Sequence, residues 1–181
     1  MDSASPPVRQ NFHAECEAAL NVQARLQLYA AYVYLSMAVY CDRSDVALPH
    51  LARAFLRRAR RWRQLAEQLL LLQTERGGSV VLSDIARPQS DDWRGGAQAV
   101  ECAFHLEDTL HQSLLELHGL VAARGDPHLG SILQRRYLRP QARVLGELGA
   151  HLNRLRSLGS HLPGLESCLC DGLNLDDDPC I

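Results

Sequence analysis

Apolar residues recur with the 3.6-residue period of an α-helix in four long segments of this chain, and turn signals separate the segments. The segments cover about residues 14–41, 49–76, 91–124 and 127–158. Side chains two turns apart share a face, so each segment has one inner stripe. The predicted inner positions are Leu20, Gln27, Tyr34 and Cys41; Leu51, Phe55, Arg58, Trp62, Leu65, Leu69 and Leu72; Val100, Ala103, Glu107, Leu110, Leu114 and Leu117; and Tyr137, Gln141, Val144, Leu148 and Leu155. Four long amphipathic helices predict an all-α protein whose helices pack as a bundle.

Local sequence signals mark both ends of the second helix and the start of the third. Pro49 suits the first turn of the second helix, and Gly77 follows its last periodic residue as a C-terminal stop. The third helix is predicted to begin at Asp91, because the helix dipole favours an acidic start. The connection between them is long for a loop and contains a β-like run at 79–82. It predicts one crossover between two helix pairs.

The fourth helix has a clear start signal and an internal proline. Asp126 is predicted as its N-cap and Pro127 as its first residue. Pro140 removes one backbone hydrogen bond inside this helix. That loss costs about 3 kcal/mol unless the helix bends there.

Length and composition describe one globular domain. With 181 residues, 46% hydrophobic content and a net charge of -2, the chain can bury a full core. A short amphipathic piece at 164–173 predicts a fifth helix. We therefore expect a single domain at 1–175 and an acidic tail at 176–181.

Cysteine usage and the distribution of apolar residues bear on location. None of the six cysteines forms a C-x-x-C pair, so we predict no disulfide framework and a reducing compartment. No apolar run approaches the roughly 20 residues that span a bilayer, and the first residues lack the apolar stretch of a secretory signal. These features predict a cytoplasmic protein with no membrane partner.

The inner stripes carry polar side chains that need a partner or a task. Gln27, Glu107 and Gln141 lie at core-facing positions, and burying such groups without partners is costly. Trp62 and Leu65 stand where two more ligands would complete a metal site inside a bundle. The pattern therefore indicates a metal site that has lost most of its ligands.

Eight stretches of sequence carry a family resemblance along nearly the whole chain. They are residues 8–13, 28–37, 42–48, 76–78, 91–93, 101–107, 112–118 and 126–129. In this order they closely resemble the animal ferritin heavy chain, whose bundle also has one long crossover. The resemblance implies a cytosolic subunit of a 24-subunit shell that stores ferric iron. It also implies assembly with copies of itself or with active heavy or light chains.

In that family, heavy-type subunits oxidise Fe(II) at a di-iron site built from carboxylates and one imidazole. At the corresponding positions this chain carries Gln27, Trp62, Leu65, Glu107 and Gln141, with Tyr34 retained nearby. Only Glu107 is anionic, and one carboxylate cannot neutralise two divalent ions. We therefore expect ferroxidase activity to be lost and no residue to be catalytic.

Alternatives for Glu107 remain open at this stage. Glu107 can pair with Arg58 or Arg61, or accept hydrogen bonds from Tyr34 and Gln141, in a purely structural network. A carboxylate buried without such partners would tend to stay protonated. It can instead bind a single metal ion weakly, or support residual iron oxidation together with Tyr34 and Gln141.

Two further family sites are depleted of acids. The cavity-facing cluster of the second helix corresponds to Arg61, Gln64 and Glu67. The pore at the three-fold axis corresponds to His118, His128, Ser131 and Gln134. Because rings of acids attract cations, neutral replacements should slow iron uptake.

The second helix also carries a cluster of six arginines. They are Arg53, Arg57, Arg58, Arg60, Arg61 and Arg63. One interpretation is an anion-binding or nucleic-acid-binding surface, and the other is a solvated helix face. The chain lacks interleaved aromatic and basic residues and is slightly negative overall, so nucleic acid is not the expected partner.

Overall fold

The computed structural model describes residue 9 and residues 11–89, 91–158 and 173–175. The helical elements are α1 (Ala14–Asp42), α2 (Pro49–Glu75), α3 (Gly96–Ala123), α4 (Pro127–Leu133), a π-helical segment (Gln134–Leu138) and α5 (Arg139–Leu158). The last three follow one another without a break and form the fourth long helix of the bundle. The predicted all-α bundle with one long crossover is confirmed. The predicted fifth helix and the acidic tail lie outside the described residues.

The ends of α2 agree with the sequence prediction. Pro49 is its first residue, and the chain leaves the helix through Gly77, whose φ of 73° is in the left-handed region that favours glycine. The amide of Gly78 then bonds to the carbonyl of Gln73, which satisfies one of the last carbonyls of the helix.

The crossover between α2 and α3 is held by side chains of α1. The Ser79 amide donates to the Glu17 carboxylate at 2.6 Å, and the Val81 amide donates to the Asn21 side chain at 3.0 Å. The Asn21 amide group returns a bond to the Ser79 carbonyl. The β-like run at 79–82 therefore bonds to helix side chains, and no strand forms in the described ranges.

The predicted start of α3 at Asp91 is wrong, because the helix begins at Gly96. The segment before it is occupied by long-range contacts: the buried Trp93 donates its indole N–H to Ser36 at 3.1 Å. The Gly95 amide donates to the Tyr40 hydroxyl at 2.8 Å. Gly95 has a φ of 118°, which breaks the helical path directly before Gly96.

The fourth helix confirms its predicted start and contains an irregular turn. Asp126 caps it by accepting from the Leu129 amide at 3.1 Å, and Pro127 follows as the first residue. The π-helical segment ends at Leu138, two residues before Pro140, which has no N–H. We attribute the widened turn to Pro140, because a proline inside a helix removes one backbone hydrogen bond and its ring crowds the preceding turn.

The inner stripes form one continuous core. Every predicted inner position is buried except Leu72, which is partly exposed and packs at the edge of the core. Gln73 is buried in its place and donates to the carbonyls of Glu17 and Ser79. Within the described part of the chain, no helix is long and apolar enough to cross a membrane.

Candidate functional site

Four helices bring the predicted site residues into the middle of the bundle. The contributing side chains are Gln27 and Tyr34 from α1; Arg58, Trp62 and Leu65 from α2; Glu107 from α3; and Gln141 from α5. All of them are at most 2% exposed. The inward phase of each residue follows from the helical period that the sequence shows.

The centre of the site is an ion pair between Arg58 and Glu107. The Nε of Arg58 donates to Oε1 of Glu107 at 2.7 Å, and Nη2 donates to Oε2 at 3.0 Å. Both side chains are fully buried. The guanidinium therefore binds the carboxylate through two parallel bonds, which is the strongest geometry for this pair.

Three further donors bind the same carboxylate. The Tyr34 hydroxyl donates to Oε1 of Glu107 at 2.8 Å, and the Trp62 indole N–H donates to Oε1 at 3.0 Å. The Gln141 amide donates to Oε2 at 3.0 Å and to the Glu107 carbonyl at the same distance. A carboxylate has about four lone-pair sites, so these donors and Arg58 occupy all of them.

The electrostatics keep Glu107 ionised and Tyr34 neutral. Burial pushes the pKa of Glu107 up, but the Arg58 charge and the hydrogen bonds outweigh it and hold the pKa below its usual range. Burial, and then the nearby Glu107 charge, raise the pKa of the Tyr34 phenol well above its usual value. Tyr34 is therefore a hydrogen-bond donor and not a phenolate ligand.

Trp62 and Arg58 fill the space between α2 and Glu107. The guanidinium carbon of Arg58 lies 4.7 Å from the centroid of the Trp62 ring, a cation–π contact in a desolvated setting. The structure thus gives Trp62 a donor role that the sequence did not indicate. The signal that could have found it is the general need of a buried indole N–H for an acceptor.

Gln27 and Leu65 lie in the same core but do not bind Glu107. Leu65 is apolar, and its carbonyl accepts from the Tyr137 hydroxyl at 2.9 Å. Neither amide atom of Gln27 has a hydrogen-bond partner among the described protein atoms. A residue that sequence reasoning missed is His111, whose Nδ1 lies 3.2 Å from the Gln141 side-chain oxygen and helps to fix that amide.

The donor chemistry of this centre does not suit two ferrous ions. Such a site needs several hard anionic ligands and an imidazole, and the centre offers one carboxylate that already binds a buried cation. Among the residues that the structure describes, no group of three or more His, Cys, Asp or Glu side chains could hold a metal ion.

The other predicted sites lie at the surface of the bundle. Gln64 and Glu67 are exposed on α2, and Arg61 is partly exposed beside them. His128 and Ser131 are exposed on α4, while His118 and Gln134 are partly buried. Nε2 of His118 lies 3.8 Å from the position that a Cβ on Gly130 would take, so His118 packs against α4.

A comparison with protein families agrees with this architecture. A sequence model of the ferritin-like domain matches residues 17–158, from the first turn of α1 to the end of α5. The match covers most of the chain and all four long helices. The chain therefore belongs to the ferritin family.

Proposed function

We propose that this protein is a heavy-chain-like ferritin subunit that joins an iron-storage shell but does not oxidise Fe(II) inside its own bundle. The observation that carries the proposal is the Arg58 guanidinium bound to both oxygens of Glu107. This contact occupies the one carboxylate available for iron at the centre of the bundle.

Charge makes this arrangement resistant to iron. An Fe(II) ion at Glu107 would have to displace Arg58, and an unpaired cation left in the core costs about 3–5 kcal/mol. If Arg58 stayed, its positive charge would repel the metal at short range. Residual oxidation through Glu107, Tyr34 and Gln141 is the weaker candidate, because the Tyr34 and Gln141 side chains already donate hydrogen bonds to the Glu107 carboxylate.

Assembly with other ferritin subunits is supported by an apolar surface on α1 and the crossover. Val22, Tyr32 and Val39 lie on one face of α1 and are between 47% and 62% exposed. Val81 and Leu82 of the crossover are 62% and 75% exposed, and Val81 lies near Val22. Exposed apolar side chains that cluster on a surface mark protein interfaces. We propose that a second subunit, either a copy of this chain or an active heavy or light chain, covers them within a 24-subunit shell.

Stopped-flow measurement of Fe(II) oxidation by the purified, assembled protein tests the proposal. We expect no rapid oxidation phase from Fe(II) bound inside the helical bundle of the subunit. The matched positive control restores ligands and removes the blocking cation with Gln27→Glu, Arg58→Gln, Trp62→Glu and Leu65→His, and it should gain that phase. A rapid oxygen-consuming phase in the unaltered protein would overturn the proposal.

Sedimentation of the protein, alone and co-expressed with an active ferritin heavy chain, tests assembly separately. A shell-sized particle that contains this chain in either preparation supports the subunit role. A species that stays monomeric in both preparations contradicts it. The variant Val39→Glu provides the matched test of the apolar surface and should lower the assembled fraction.

A further inference from the structure

The arginines of α2 divide into one buried residue and a charged outer face. Arg58 is buried, whereas Arg53, Arg57, Arg60 and Arg63 are exposed and Arg61 is partly exposed. At about 100° per residue, the first three exposed residues lie on one stripe, and Arg61 and Arg63 flank it. The stretch 53–63 contains no acid and spans about 15 Å. It therefore concentrates five positive charges on one side of the helix.

The five arginines Arg53, Arg57, Arg60, Arg61 and Arg63, which are exposed or partly exposed on this side of α2, define the basic face. The π-helical segment packs against α2, because Tyr137 in that segment donates its hydroxyl to the Leu65 carbonyl.

We infer that the basic face binds inorganic polyphosphate anions. Guanidinium groups bind phosphate oxygens through paired hydrogen bonds, and several of them one helical turn apart can engage successive phosphates. Because arginine does not titrate in the ordinary range, the positive charge of the face persists at any physiological pH.

The face offers phosphate recognition without base recognition. Single-stranded nucleic acids are usually held by aromatic side chains on which the bases stack. The phenylalanine, tryptophan and tyrosine residues of α2 and the π-helical segment are Phe55, Trp62 and Tyr137, and they are 0%, 1% and 2% exposed. The chemistry therefore favours an inorganic chain of phosphates over RNA or DNA. This inference does not depend on the proposed loss of iron oxidation.

Calorimetric titration of the iron-free full-length protein with inorganic tripolyphosphate at low salt tests the inference. We expect saturable binding that is tighter than binding of orthophosphate and that weakens as sodium chloride is raised. The double variant Arg57→Gln/Arg60→Gln should lose about tenfold in affinity, since each charge-assisted contact is worth a few-fold to tenfold. Glutamine is a good helix former, so α2 should be retained.

The matched control is Arg87→Gln/Arg94→Gln, which removes the same charge from exposed positions in the crossover. It should leave the affinity for tripolyphosphate within about twofold of the unaltered protein, as expected for distant exposed charges. Equal losses in both double variants, or no binding by the unaltered protein, would overturn the inference. Tighter binding of a single-stranded RNA than of tripolyphosphate at equal phosphate concentration would also overturn it. If the double variant does not fold, Arg60→Gln alone should lose about threefold.

Discussion

Replacing Arg58 by methionine separates the charge of the buried ion pair from its packing. Methionine fills a similar volume, but it leaves Glu107 as an anion in the core with only Tyr34, Trp62 and Gln141 as donors. Removing one partner of a buried pair costs about 3–5 kcal/mol. The three remaining hydrogen bonds place our expectation at the lower end, about 3 kcal/mol in the free energy of unfolding.

The double variant Arg58→Met/Glu107→Gln removes both charges and keeps an amide oxygen that accepts from Tyr34 and Trp62. It should lose about 1–2 kcal/mol in the free energy of unfolding relative to the unaltered protein, which is less than the single variant loses. Guanidinium unfolding followed by circular dichroism measures both losses on the same assembled species. A single variant that loses less than about 1 kcal/mol, or a double variant that is the less stable of the two, would refute the reasoning.

The dependence of these losses on pH gives a second check. In the unaltered protein the pKa of Glu107 is lowered on folding, so the pair stabilises the fold above the ordinary glutamate pKa and loses that effect as pH falls through the lowered value. In Arg58→Met, burial acts without the opposing cation and raises the pKa of Glu107. The destabilisation by Arg58→Met should therefore be larger at pH 8 than at pH 5. The destabilisation by the double variant should be the same at pH 8 and at pH 5.

Substitutions at four other positions test the local physics of the fold, each by denaturant unfolding. Trp62→Phe removes the indole donor to Glu107 and should cost about 1–2 kcal/mol; a neutral result would mean that the bond at 3.0 Å contributes nothing. Asp126→Ala removes both the N-cap of α4 and the ion pair with Arg76, and it should cost more than the roughly 1 kcal/mol of the cap alone, whereas Asp126→Asn should recover only the cap. Gly119→Ala should stabilise α3 by about 0.8 kcal/mol, because nothing lies within 4 Å of the new Cβ. The contrasting Gly78→Ala should destabilise, because its Cβ would lie 2.6 Å from the Phe12 ring.

Helical periodicity predicted the core well because burial in a bundle depends mainly on the phase of each residue. Apart from Leu72, the inner stripes of all four helices are buried in the structure, including the arginine at position 58. The start of α3 was mispredicted because the preceding segment is fixed by Ser36 and Tyr40, which are more than fifty residues away in sequence. The acidic residues at 91 and 92 gave a plausible local start signal that these distant contacts override.

The candidate site was predictable in composition but not in geometry. The sequence placed one acid among neutral residues at the inner positions, and it left two arginines, Arg58 and Arg61, as partners for Glu107. Arg61 lies about 60° around the helix from Arg58, and the structure pairs the fully buried one with the acid. The donor role of Trp62 depends on the orientation of its ring, which no pattern of residue types encodes. Whether the Gln27 amide finds a hydrogen-bond partner likewise depends on distances between helices, and in the structure it finds none among the described residues.

The saturated carboxylate of Glu107 couples the residues at positions 58, 62 and 107 to one another. An acid at position 62 alone would remove a bulky ring and leave a void beside the guanidinium. Loss of the guanidinium alone would leave a buried anion without its cation. A change at one of these three positions is therefore expected to be tolerated better together with a matching change at another.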